Sequence, residues 1–125
     1  MELNQLLNRD IACSCGRTHR CDIDTVDIGT GAIDRLPESV KCYKNILLVA
    51  DSNTYAVCGD RVCDLLGEKV DAVCIFVTDD VLAFGELLVP DEAAIAAVEA
   101  KMGEKTDLIL GIGSGVINDI CAVNY

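Results

Sequence analysis

Three unbroken apolar runs lie in the stretch from residue 46 to residue 111, separated by amphipathic segments. Residues 46–50 (Ile46, Leu47, Leu48, Val49, Ala50) form the first and read as a buried strand. Asp51, Ser52, Asn53 and Thr54 then supply cap residues. Behind them Cys58, Val62, Leu65 and Leu66 share one helical face, closed by Gly67. Residues 72–77 are the second run. Pro90, Asp91 and Glu92 open another helix, with Ile95, Val98 and Met102 facing inward and Gly103 at its end. Residues 108–111 are the third. Apolar strands alternating with amphipathic helices predict an α/β fold: a Rossmann-like parallel sheet, helices on both faces, joined by right-handed crossovers. The longer connection over residues 79–90 has room for a short edge strand at 86–89.

The first 45 residues are patterned differently. Residues 1–10 read as a short helical or frayed lead-in. Over residues 17–30, Cys21 and Ile23 and then Val26 and Ile28 alternate with polar neighbours, changing phase near Asp24 and Thr25. This predicts one or two N-terminal strands or a hairpin, with a bulge. Gly29, Thr30 and Gly31 turn the chain. Ile33, Leu36, Val40 and Tyr43 follow at helical spacing, with Pro37 in the first turn.

The end of the third run holds the candidate chemistry. Gly111, Gly113 and Gly115 are spaced two apart, followed by Val116, Ile117, Asn118 and Asp119. A buried strand that opens into such a loop, with a helix starting near Val116, brings backbone N–H groups within reach of a phosphate. Val116 stands where a G-x-G-x-x-G fingerprint has its third glycine, the loop is not the first β–α turn, and no P-loop lysine follows. A tight turn with glycine for steric reasons is the alternative. Against it, each glycine weakens local order by roughly 0.5–1 kcal/mol, so three together point to something approaching the backbone. Asp51 ends the first strand at the same sheet edge. There a carboxylate accepts hydrogen bonds from a ribose, or simply caps the next helix. Asp119 sits just inside the helix start, where the helix dipole favours an acid in any case.

Charge narrows the ligand classes. With 21 acids against 10 bases the net charge is −11, a field that disfavours nucleic acid and anionic membrane surfaces. A bound phosphate would have to rely on backbone N–H groups and a helix end. Hydrophobic residues make up 51% of the chain, enough for one globular domain. No apolar run approaches the roughly 20 residues of a bilayer span, and Met1 to Gln5 lack signal-peptide character. Together with cysteines set in apolar patterns, such as Cys74, this predicts a reduced, cytoplasmic protein. Cys13, Cys15, His19 and Cys21 fall within nine residues and on paper make a Cys3His zinc site. C-x-C is a poor match to the usual knuckle and no second ligand pair follows, so ordinary strand side chains are the default and no metal ligand is assigned.

Residues 111–120 closely resemble the cofactor loop of the sn-glycerol-1-phosphate dehydrogenases. That family lies within the superfamily of iron-containing alcohol dehydrogenases and dehydroquinate synthases. Cys13, Ser14, Cys15, Gly16, Arg17, Thr18 and His19 are similar to the Cys-rich lead-in of its bacterial branch. The stretch from Val49 through Asp51 to Tyr55 resembles the strand end where the family's aspartate meets the adenosine ribose. The resemblance implies that residues 1–125 are the N-terminal NAD(P)-binding domain of a longer, homo-oligomeric enzyme of phospholipid metabolism. Tyr125, barely one turn into the last helix, would be a cut made before a helical metal-binding domain. The implied activity is interconversion of dihydroxyacetone phosphate and sn-glycerol 1-phosphate with NAD or NADP and a divalent metal, zinc or nickel. The metal ligands and catalytic groups would lie outside this chain. Cofactor binding would fall to Asp51, Gly113, Ser114, Gly115, Val116, Ile117, Asn118 and Asp119. The substrate is a small phosphate, and neither nucleic acid nor membrane is implied. Two other readings stay open: a 3-dehydroquinate synthase or other polyol dehydrogenase of the same superfamily, and a non-enzymatic zinc-binding or adaptor module built on Cys13, Cys15, His19 and Cys21.

Overall fold

A computed structural model describes residues 5–77 and 92–123, which form parts of two compact units, Met1–Ser39 and Val40–Tyr125. In the first unit, β1 (Asp10–Ala12) pairs antiparallel with β2 (Thr18–Arg20), placing Asp10 opposite Arg20 and Ala12 opposite Thr18. The expected N-terminal hairpin forms, but of the described lead-in residues only Asp10 enters a strand, and only three residues of the 17–30 stretch do. The rest of that stretch is irregular. Asp27 accepts two hydrogen bonds from Arg35, from Nε at 2.5 Å and Nη2 at 2.8 Å, and Gly31 turns the chain with φ +79°. That fork draws the segment toward its own following helix rather than toward a sheet partner. Ile28, expected on a strand face, is exposed. The helix expected over 33–43 is one 3-10 turn (Ala32–Arg35) and one α turn, α1 (Leu36–Ser39), with Pro37 inside that first turn as expected.

The second unit holds the sheet. β3 (Ile46–Asp51), α2 (Ser52–Leu66), β4 (Val70–Phe76), α3 (Glu92–Lys101), β5 (Leu108–Ile112) and α4 (Gly115–Val123) follow in order, with a 3-10 turn over Gly67–Lys69. The strand order is β4-β3-β5 and both pairings are parallel. The 86–89 segment lies outside the described residues, as do Pro90 and Asp91. Only β3 is buried along nearly its whole length, because it alone is flanked on both sides among the described strands. β4 and β5 are partly exposed despite their apolar sequences.

Side chains alternate across β3, and the two sets meet different helices. Leu47 and Val49 pack with Cys74, Ala94, Val98, Ile117 and Ile120, which come from β4, α3 and α4. Ile46, Leu48 and Ala50 point to the opposite face and are fully buried. α2, whose Gly59, Val62 and Leu66 are buried, packs on the sheet there. The inward face of α3 is Ala94 and Val98, with Ile95 half-buried, while Met102 follows the helix and is exposed. α4 runs nine residues, about two and a half turns at 3.6 residues per turn, longer than the single turn expected. At the start of the sheet the Asp107 carboxylate accepts from the backbone N–H groups of Lys44 at 3.0 Å and Asn45 at 2.9 Å. The Asp107 N–H donates in turn to the Asn45 carbonyl at 2.9 Å. This clamp joins the entry of β3 to the entry of β5 and fixes their register.

Candidate functional site

Asp51 and the glycine loop stand side by side at the carboxyl edge of the sheet. Ala50 pairs with Ile112, so the next step along each strand brings Asp51 level with Gly113, on strands about 5 Å apart. The chain leaves β3 into α2 on one face and leaves β5 into α4 on the other. Helices that part to opposite faces after adjacent parallel strands open a crevice between the strand ends, where α/β sheets place their ligands. Pairing and helix placement therefore put both sequence-derived features at this switch point.

Asp51 is half-buried and caps α2. Its Oδ1 accepts from the Thr54 N–H at 2.8 Å, and the Thr54 hydroxyl accepts from the Asp51 N–H at 3.1 Å, a reciprocal capping box. The cap alternative is thus realised. It does not compete with ribose binding, because a carboxylate offers a second oxygen.

The three glycines differ in their reasons. A Cβ on Gly111 would lie 3.0 Å from Cys121 Sγ and 3.2 Å from Ile117 Cγ2, so this glycine lets α4 lie close on β5. One on Gly113 would lie 2.6 Å from Ile117 Cγ1, inside van der Waals contact. One on Gly115 would meet no atom of the described residues within 4 Å, and Gly115 is not among the residues of positive φ. The steric alternative accounts for Gly111 and Gly113 and leaves Gly115 without an internal reason.

The other loop residues divide by burial. Gly113, Ser114, Gly115, Asn118 and Asp119 are exposed, Val116 is half-buried against the core, and Ile117 is fully buried. Val116 and Ile117 therefore offer a ligand their backbone N–H groups. The Ser114 carbonyl accepts the first helical bond, from the Asn118 N–H at 3.1 Å. The N–H groups of residues 115–117 are thus first-turn donors of α4. That turn carries no acidic residue, and Asp119 is the fifth residue of the helix rather than part of its first turn. The positive end of the dipole meets no carboxylate within its own turn.

Beneath the loop, Cys74 and Cys121 are core thiols. Burial pushes both thiol pKa values up, which favours the neutral form. All eight cysteines are free, and Cys13, Cys15 and Cys42 are exposed. In the hairpin, the ligand atoms of Cys13, Cys15 and His19 lie within 4.8 Å of one another, and Cys21 is not part of that group. The sequence put four residues on one list, and the turn geometry selects three.

Fold and site define an α/β chain with a glycine-lined helix start and a carboxylate at the switch point of a parallel sheet. Its relatives carry a specific name. Over 116 residues it is 34% identical to a glycerol-1-phosphate dehydrogenase (NAD(P)+) of Halalkalibacterium halodurans, covering 89% of this chain and 28% of that protein. Proteins of the same name from Geobacillus thermodenitrificans (28% identity, 94% of this chain, 30% of the relative) and Bacillus subtilis (31%, 78% and 25%) are also similar. The resemblance seen in the loop thus extends over most of the chain, which spans less than a third of each of these relatives' length. No protein-family model matches the chain, and no solved structure matches it significantly. No described helix is long and apolar enough to cross a membrane.

Proposed function

We propose that this chain is the nucleotide-binding portion of an NAD(P)-dependent oxidoreductase that interconverts dihydroxyacetone phosphate and sn-glycerol 1-phosphate. The observation that carries the reading is Gly115: exposed at the first turn of α4, at the switch point beside Asp51, with no contact among the described residues that requires glycine. Similarity to proteins named glycerol-1-phosphate dehydrogenase supports the choice of reaction.

The residues present fit a dinucleotide. Backbone N–H groups of residues 115–117 face the pyrophosphate, with the helix dipole supplying the positive potential that a chain of net charge −11 lacks in side chains. Gly113 and Ser114 form the approach, and Asn118 and Asp119 extend from the exposed side of α4 toward the sugar and nicotinamide. The second oxygen of Asp51 accepts from a ribose hydroxyl. The bound nicotinamide supplies hydride transfer. The divalent metal of the resemblance, held by one Asp and two His, does not fit here: the sole histidine, His19, belongs to the hairpin. The proposal therefore assigns this chain to cofactor binding, with no turnover of its own.

The test is Gly115→Val in the intact protein that contains this chain. Cofactor affinity, read by quenching of NADH fluorescence, falls below detection while metal content and thermal stability are retained. Unchanged NADH affinity in the folded variant would reduce the loop to a structural turn and remove the proposal.

A further inference from the structure

The hairpin raises a physical question that nucleotide binding does not answer. β1 and β2 are three residues each, and no described residue from 5 to 39 is buried. Two-stranded hairpins are at best marginally stable in water, and small units without a core gain order from a disulfide or a metal. The cysteines here are free.

The turn between the strands gathers soft ligands. Cys13 ends one side, where its N–H donates to the Arg17 carbonyl at 3.1 Å and its carbonyl accepts from the Gly16 N–H at 3.0 Å. Gly16, with φ +88°, lets the chain reverse within that span. The Cys15 N–H then points at Cys13 Sγ, 3.5 Å away, the kind of donor that stabilises a thiolate. Across the turn, His19 on β2 brings its Nε2 to 3.2 Å from Cys15 Sγ. All three side chains are exposed, so an ion has a path in. Tetrahedral zinc, with Zn–S of about 2.3 Å and Zn–N of about 2.0–2.1 Å, holds its donor atoms roughly 3.5–3.8 Å apart. Donors gathered within 4.8 Å need only small side-chain rotations to reach that arrangement.

We propose that Cys13, Cys15 and His19 form a binding site for a thiophilic divalent ion, zinc by preference, with the fourth position open to solvent. Two thiolates and a neutral imidazole neutralise the ion, so no further carboxylate is needed. Binding releases the thiol protons and fixes the turn. The site is independent of the nucleotide reading and makes no use of the sheet.

Cobalt(II) reports on such a site directly. Titrated into this 125-residue chain under reducing conditions, it should give a thiolate-to-cobalt charge-transfer band saturating at one equivalent and displaced by zinc. Cys13→Ser, Cys15→Ser and His19→Ala should each weaken binding by about a hundredfold or more, whereas Cys21→Ser and Cys42→Ser should leave it unchanged. His19→Cys should restore binding with a stronger charge-transfer band, which a variant that had merely lost its fold could not do. The site is ruled out by absence of the band in the parent chain, by a band that survives Cys15→Ser, or by one lost with Cys21→Ser.

Discussion

Alanine at Gly113 and alanine at Gly115 should do opposite things, although the residues are two apart in one exposed loop. At position 113 the new methyl would sit 2.6 Å from Ile117 Cγ1 and 2.9 Å from Ile117 Cβ, about 1 Å inside comfortable carbon–carbon contact. Ile117 cannot yield easily, since it is 1% exposed and locked among Leu47, Val49 and Ile120. The start of α4 must shift instead, and such overpacking costs about 1–3 kcal/mol. In a unit of this size, each kcal/mol lowers Tm by roughly 4–8 °C. At position 115 the methyl meets nothing within 4 Å and replaces a glycine in a helix. Stability there should stay within about 0.5 kcal/mol of the parent or rise slightly. Urea denaturation of both variants measures the difference, with NADH titration of the same substitutions in the intact protein as the second axis. Gly113→Ala should lose stability, and Gly115→Ala should keep stability and lose affinity. A Gly113→Ala variant as stable as the parent would contradict the packing argument, and equal destabilisation at both positions would make the whole loop a structural turn.

Asp51→Ala removes a capping box as well as the proposed ribose contact. It should cost about 0.5–2 kcal/mol in stability, and in the intact protein it should weaken NAD more than NADP, since a carboxylate accepts from a 2′-hydroxyl and repels a 2′-phosphate. An equal loss for both cofactors, by competitive titration, would leave Asp51 as a cap alone. Asp107 sets an acid limit. Hydrogen bonds from the Lys44 and Asn45 N–H groups hold its folded pKa below the ordinary carboxylate value. Its contribution is therefore present above the unfolded-state pKa and lost as pH falls through the depressed folded one. Asp107→Asn should flatten the acid side of the stability-versus-pH curve, and a curve of unchanged shape would remove the clamp.

How much could be read from the sequence depended on whether a feature was local or needed a partner. The strands at 46–50, 72–77 and 108–111, the capping residues after Asp51 and the helix after Gly113 were legible, because each is written in contiguous residues. An N-terminal strand or hairpin was legible too, but not which residues would pair. Thr18–Arg20 alternates no better than the residues after it, and it is a strand because Asp10–Ala12 lies opposite, a pairing that local pattern does not contain. Val26 and Ile28 alternate well and have no strand partner among the described residues, while Asp27 is held by Arg35.

By itself the sequence determined the alternation of apolar strands with amphipathic helices, the acidic charge and the glycine spacing. These follow from periodicity and composition, which do not depend on where other parts of the chain lie. Tertiary structure decided the rest. Strand order β4-β3-β5 made 46–51 the buried centre and left equally apolar neighbours half-exposed. Helices on opposite faces put Asp51 and Gly113 at one crevice, though 62 positions separate them in the chain. The packing of Ile117 gave identical glycines different duties, and the turn at Gly16 brought together three of the four candidate metal ligands. A pattern along the chain says which residues must be buried or extended, and only the distances between segments say which of them meet.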